Sequence, residues 1–172
     1  TVAEKVGLPI MLYNFPARTG VDLGEEVLDG LRDTKQVYGI KESSGSMERM
    51  HEILVNFTDR YQLICGADDQ ALEYFVWGVT GWVAGASNML PKQHMDLYET
   101  VVEKRDIEGG VAIMRKLLPV FMLMEQGGKY LQYCKYGCEL GGYPVGGVRA
   151  PYQGLDSAQR QKFTELYELA TS

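Results

Sequence analysis

Four short apolar runs, residues 10–13, 37–41, 61–65 and 81–84, alternate with single helix-patterned segments, and this alternation restricts the fold more than any other feature. Strands joined by a helix-length crossover pair in parallel, so the pattern predicts βα units. The first intervening helix is expected over 24–31. The second is expected over 46–57, with Ser46 as its N-cap and Met47, Met50, Ile53 and Leu54 on its apolar face. The third should run through Trp77, capped by Asp68 or Asp69, and the aromatic group Tyr74, Phe75, Trp77 and Trp82 reads as core packing.

After Pro91 the pattern changes. Helical segments over 92–104, 107–126 and 129–140 follow one another without strands, then a Gly/Pro-rich connection (141–154) leads to a last helix over 157–170. The predicted fold class is α/β: four βα units forming the second half of a (β/α)8 TIM barrel, followed by a helical C-terminal extension. Residues 1–91 are assigned to the half barrel, and 92–172 to the final barrel helix and the extension. An open doubly wound sheet suits the strand pattern too, since both architectures gather polar groups at the C-terminal strand ends. A full barrel takes about 250 residues, whereas this chain has 172. Residues 1–6 read as the tail of a helix stopped at Gly7, as though the start were cut.

Composition excludes several classes. A net charge of −6 argues against nucleic acid as a partner. No apolar stretch is long enough to span a bilayer. The three cysteines, Cys65, Cys134 and Cys138, form no disulfide framework and point to reduced thiols in a cytoplasmic setting. Cys134 and Cys138 sit i, i+4 on one helix and suit a core or subunit contact. With only His51 and His94, in unrelated contexts, no metal site is expected.

The strand ends carry the chemistry. Lys41 closes the second strand with its amine turned inward, where burying an ammonium is costly unless it is paired or deprotonated. Desolvated lysines form Schiff bases with carbonyl compounds; a strand-end lysine that reaches solvent is the plainer alternative. Tyr13 closes the neighbouring strand and can bring a phenol near that amine, as a proton relay or as a core tyrosine. Arg18, in a turn-rich loop just beyond, can grip a carboxylate bidentately or simply be solvated. Gly45 and Gly66 allow close backbone approach to a ligand or serve ordinary turns.

Taken together, Tyr13-Asn14-Phe15-Pro16-Ala17-Arg18-Thr19-Gly20, Gly39-Ile40-Lys41-Glu42-Ser43-Ser44-Gly45 and Cys65-Gly66-Ala67-Asp68-Asp69 resemble the dihydrodipicolinate synthase/N-acetylneuraminate lyase family of class I aldolase-type barrels. The resemblance spans nearly the whole chain and places it from the end of the family's fourth helix onward. It implies that Lys41 is the Schiff-base lysine for pyruvate or a related 2-oxo acid and that Tyr13 shuttles protons beside it. It further implies that Arg18 holds the second substrate's carboxylate, as in the synthase branch, and that Gly66 and Val83 line the pyruvate pocket. No cofactor and no metal are implied, and the family commonly forms homotetramers. The threonine pair for the pyruvate carboxylate and a tyrosine from a neighbouring subunit belong to the family's other half. These 172 residues alone are therefore expected to show little or no turnover.

The expected activity is a Schiff-base lyase or synthase of the 4-hydroxy-tetrahydrodipicolinate synthase type. Gln126-Gly127-Gly128-Lys129-Tyr130-Leu131-Gln132 resembles instead relatives acting on other 2-oxo acids, including deaminases of hydroxyproline-derived pyrroline carboxylates. A non-catalytic binding protein that keeps the barrel is the alternative from another class.

Overall fold

The computed structural model describes residues 2–172 and divides into two compact units, one ending at Val83 and the other spanning Ala84–Ser172. The first unit is a four-stranded parallel sheet in sequence order: β1 (Ile10–Asn14), β2 (Val37–Glu42), β3 (Gln62–Cys65) and β4 (Gly81–Trp82). Its helices are α1 (Val2–Val6), α2 (Pro16–Thr19), α3 (Glu25–Gly30), α4 (Met47–Asn56) and α5 (Ala71–Val76). Each crossover between consecutive strands contains helix, as the parallel ladder requires. Of the helix expected at the start, Thr1 lies outside the described residues.

The sheet register places Tyr13 opposite Lys41 and Asn14 opposite Glu42, after a slip between Ile10 and Met11. β2 and β3 pair from Gly39↔Gln62 to Glu42↔Cys65, and Val83 adds a further ladder bond through its N–H to the Cys65 carbonyl, 3.0 Å. β1 and β4 are the sheet's two edges.

Local choices explain the helices. Ser46 caps α4 by accepting the Arg49 N–H at 3.2 Å, and Met50 and Ile53 are fully buried on the apolar face. Leu28 of α3 is fully buried, and its carbonyl accepts the Tyr61 hydroxyl at 2.7 Å. The Arg60 guanidinium then takes up the carbonyls of Arg32, Thr34 and Val37 at 2.7–2.8 Å, saturating the turn that leads into β2.

Two local expectations need correcting. Neither Asp68 nor Asp69 caps a helix: a 3-10 turn (Asp68–Gln70) precedes α5, with Ala67 and Gln70 at the cap positions. Asp68 is buried and accepts the Trp82 indole N–H at 3.2 Å. Trp77 is not core. Tyr74 and Phe75 are buried and Phe75 meets Trp82 edge-on at 5.6 Å, but Trp77 falls just past the end of α5, is 60% exposed and rests against His51.

The second unit is helical. Its helices are α6 (Pro91–Tyr98), α7 (Ile107–Gln126), α8 (Tyr130–Leu140) and α9 (Ser157–Thr171), and α6 runs on into a π turn over Glu99–Glu103. Asp156 and Gln159 form a reciprocal capping box at the start of α9. Phe163 is completely buried, stacked on Tyr133 at 5.2 Å and flanked by Tyr136 and Tyr167 at 5.9 and 6.2 Å. The Phe163→Ala variant should therefore lose about 3–5 kcal/mol of stability. Denaturant unfolding monitored by tyrosine fluorescence checks this; a loss below about 1 kcal/mol would show that α9 packs elsewhere.

Candidate active site at the strand ends

Successive residues of a strand project to opposite faces, so the ends of β1 and β2 each send one side chain each way. Tyr13 and Lys41 share one face, and Asn14 and Glu42 the other. On the first face, the Lys41 Nζ lies over the Tyr13 ring, 4.1 Å from its centroid. Lys41 is half-buried and Tyr13 is 48% exposed, so the pair is open to a ligand. Lys41 makes no ion pair with any described residue, which leaves its amine unencumbered by a carboxylate.

Gly66 continues the same face from β3. A Cβ there would strike the Ser43 hydroxyl and come within 2.7 Å of the Glu42 carbonyl and 2.8 Å of the Lys41 Cε. Only glycine leaves room for the lysine stem at this point. The Gly66 N–H donates to the Glu42 carbonyl at 2.8 Å, and the Ser43 hydroxyl donates to the Gly66 carbonyl at 3.0 Å. The turn after Lys41 is thus stitched to the turn after β3. Val83, 44% exposed, is tied by its N–H to Cys65, immediately before Gly66.

Of the five residues singled out by sequence, Lys41, Tyr13 and Gly66 are brought together and Val83 joins them one strand over. Arg18 is not drawn in: its exposed guanidinium extends from α2 without a hydrogen bond or ion pair to any described residue, and only its backbone N–H is bonded, to the Phe15 carbonyl at 2.9 Å.

The opposite face holds what sequence reasoning passed over. Asn14 and Glu42 are both fully buried. The Asn14 amide donates to Glu42 Oε2 and to Asp22 Oδ1, each at 2.8 Å, and its carbonyl accepts the Leu23 N–H at 3.0 Å. Glu42 Oε1 accepts the Ser44 N–H at 2.6 Å, and Arg49 Nε lies 3.9 Å from Oε2. Arg49, buried on α4, also donates to the Leu23 carbonyl and to Glu52. The available signal was a carboxylate at a helix-facing strand position, where it needs partners.

Among the described residues no group of three or more His, Cys, Asp or Glu could hold a metal ion, and no helix is long and apolar enough to cross a membrane. A sequence model of the Dihydrodipicolinate synthetase family matches residues 1–170. The chain belongs to this family.

A 4-hydroxy-tetrahydrodipicolinate synthase 1 from Halalkalibacterium halodurans is 33% identical over 165 residues, covering 96% of this chain and 55% of the relative. One from Archaeoglobus fulgidus is 30% identical, covering 96% and 56%. Among solved structures, a dihydrodipicolinate synthetase-like protein from Pseudomonas aeruginosa superposes with a TM-score of 0.89 at 32% identity, over 98% of this chain and 58% of that one. The chain thus spans little more than half the length of these relatives, and its four-stranded parallel sheet is a partial TIM barrel followed by a helical C-terminal part.

The second potential nucleophile near the site is shut off. Burial pushes the Cys65 thiol far above its ordinary value of 9.0, more than backbone hydrogen bonding from Ala67 lowers it. Tyr74 is pushed above its ordinary 10.0 by the same cause. In the folded chain both groups keep their protons where the unfolded chain releases them. The Cys65 contribution is therefore intact below about pH 9 and the Tyr74 contribution below about pH 10, and each is lost as pH rises further, approaching about 1.4 kcal/mol per pH unit for each group. Urea denaturation between about pH 9 and 11 should show this decline, shallower in Cys65→Ala. An unchanged slope in that variant would mean that the thiol ionises in the folded protein.

Proposed function

We propose that this chain carries the covalent centre of a Schiff-base lyase or synthase acting on pyruvate or a similar 2-oxo acid, of the 4-hydroxy-tetrahydrodipicolinate synthase type. The observation that carries the reading is the Lys41 amine held over the Tyr13 ring and against Gly66, open on one side. Family membership and relatives named for that synthase activity support it.

The chemistry follows from the groups present. The unprotonated Lys41 amine adds to the C2 carbonyl of the 2-oxo acid, forming the C–N bond, and the carbonyl oxygen becomes a hydroxyl. Loss of that hydroxyl as water leaves an iminium, which draws electrons from C2 and acidifies C3. Removal of a C3 proton gives an enamine whose C3 attacks the carbonyl carbon of an aldehyde; the reverse sequence cleaves the same C–C bond. Water then hydrolyses the iminium and frees Lys41. No electrons are gained or lost overall, so neither a redox partner nor a metal or organic cofactor enters the scheme.

Tyr13 is positioned to carry the protons exchanged in carbinolamine formation and dehydration. Gly66 and Val83 offer backbone and a small side chain beside the amine. Arg18, exposed and unpaired, is free to take a carboxylate of the second substrate.

Incubation with saturating pyruvate, borohydride reduction and peptide mass mapping test the reading. A reduced pyruvyl adduct is expected on Lys41 and is lost in Lys41→Arg. Tyr13→Phe should slow adduct formation by roughly 10²–10⁴-fold, and Gly66→Ala, which displaces the lysine stem, by roughly 10²-fold. A folded wild-type protein that accumulates no adduct would sink the mechanism.

A further inference from the structure

We propose that Asn14 and Glu42 are positioning residues for the Lys41–Tyr13 pair: a buried amide–carboxylate clamp on the back of the sheet fixes the register at which phenol and amine meet on the front. The proposal rests on the Schiff-base reading for its catalytic consequence, though not for its geometry.

The clamp sits one residue beyond the pair it serves. Tyr13 is aligned with Lys41, and the next step of the same ladder aligns Asn14 with Glu42, whose side chains join at 2.8 Å. A one-residue slip of β1 against β2 would break that bond and turn Tyr13 away from the amine. The backbone repeats the lock, since the Ser43 N–H donates to the Asn14 carbonyl at 2.9 Å.

Saturation makes the clamp stiff. Asn14 spends both amide hydrogens, on Glu42 and Asp22, and its oxygen on Leu23, so it has no alternative rotamer with equal bonding. Glu42 spends its two oxygens on Asn14, on the Ser44 N–H and on the approach of Arg49. Its charge is consumed behind the sheet, on the face away from the amine, and Lys41 has no ion pair.

A buried carboxylate is not the cheapest way to join two strands; well-packed apolar residues commonly do as well or better. What it supplies is direction: each bond is lost if the strand ends shift. A displacement of about 1 Å between catalytic groups can cost 10²-fold in rate.

The test reads geometry and chemistry separately. With lysine labelled with 13C at Cε, NMR of the whole chain should show the Lys41 Cε protons displaced upfield of the other lysines by the Tyr13 ring, the signal being assigned through Lys41→Arg. In Asn14→Ala, and in the isosteric Glu42→Gln should the former fail to fold, this displacement should collapse while the remaining spectrum stays dispersed. Under pyruvate and borohydride the same variants should form the adduct roughly 10–100-fold more slowly yet to the same final extent. A merely structural role would lower the extent instead. Combined with Tyr13→Phe, Asn14→Ala should lose most of its effect on the rate.

An upfield Lys41 signal indifferent to both variants overturns the clamp, as does an Asn14→Ala rate loss equally large with and without the Tyr13 hydroxyl. Wild-type protein with an Asn14-dependent Lys41 signal but no adduct would refute the Schiff-base reading and leave the clamp standing. Adduct formation with an indifferent signal would do the reverse.

Discussion

The first unit is organised around a carboxylate that no solvent reaches. Glu42 ends β2 with zero exposure, and a charge in that position is tolerated only if hydrogen-bond donors converge on it. Donors can come only from segments that approach the strand end, so the end of β1, the turns around residues 22–23 and 43–44, and the start of α4 all have to meet there. They do, through Asn14, Ser44 and Arg49, with Asp22 and Leu23 held by Asn14 and Arg49 in turn. Once those segments are fixed behind the sheet, the alternation of strand side chains leaves no freedom in what stands in front.

The same alternation separates a thiol from an amine. Cys65 and Lys41 lie on adjacent strands, and a thiol is intrinsically the stronger nucleophile when ionised. Alternation sends Cys65 into the core, where burial keeps it protonated, and sends Lys41 to the half-open face. Gly66, the next residue of β3's path, returns to the front with no side chain, and the space it leaves is filled by the lysine stem. The parity of neighbouring positions thus decides that the amine, and not the thiol, faces the half-open side.

How far this was legible in the sequence depends on the range of the interactions. Strand positions, the Ser46 cap and the long helix beginning at Ile107 follow from local periodicity and capping chemistry, which a linear sequence displays. That Lys41 and Tyr13 stand side by side was readable because each ends an apolar run, and parallel neighbours put such ends next to one another. The Asn14–Glu42 bond joins positions 28 apart and could not be read in the same way, because an asparagine and a glutamate after apolar runs look like ordinary strand-ending polar residues. Trp77 was misjudged because composition says how apolar a segment is and not where its helix stops. The π turn at Glu99–Glu103 carries no pattern distinct from a continuing helix, and Asp68, which looks like a cap, is claimed by an indole fourteen residues away.

In the second unit, the helices act on the segment that opens it. The carbonyls of Gly85 and Asn88 accept the thiols of Cys134 and Cys138, one helical turn apart on α8, and the Tyr167 hydroxyl on α9 donates to the Met89 carbonyl at 3.3 Å. α8 comes so close that a Cβ on Gly137 would strike the Met89 sulfur. Residues 85–89 lie in a 3-10 turn and its flanks, where the Asn88 and Met89 N–H groups donate to the carbonyls of Gly85 and Ala86 at 3.3 and 3.0 Å. Their remaining carbonyl capacity is taken up by helices some fifty to eighty residues later in the chain.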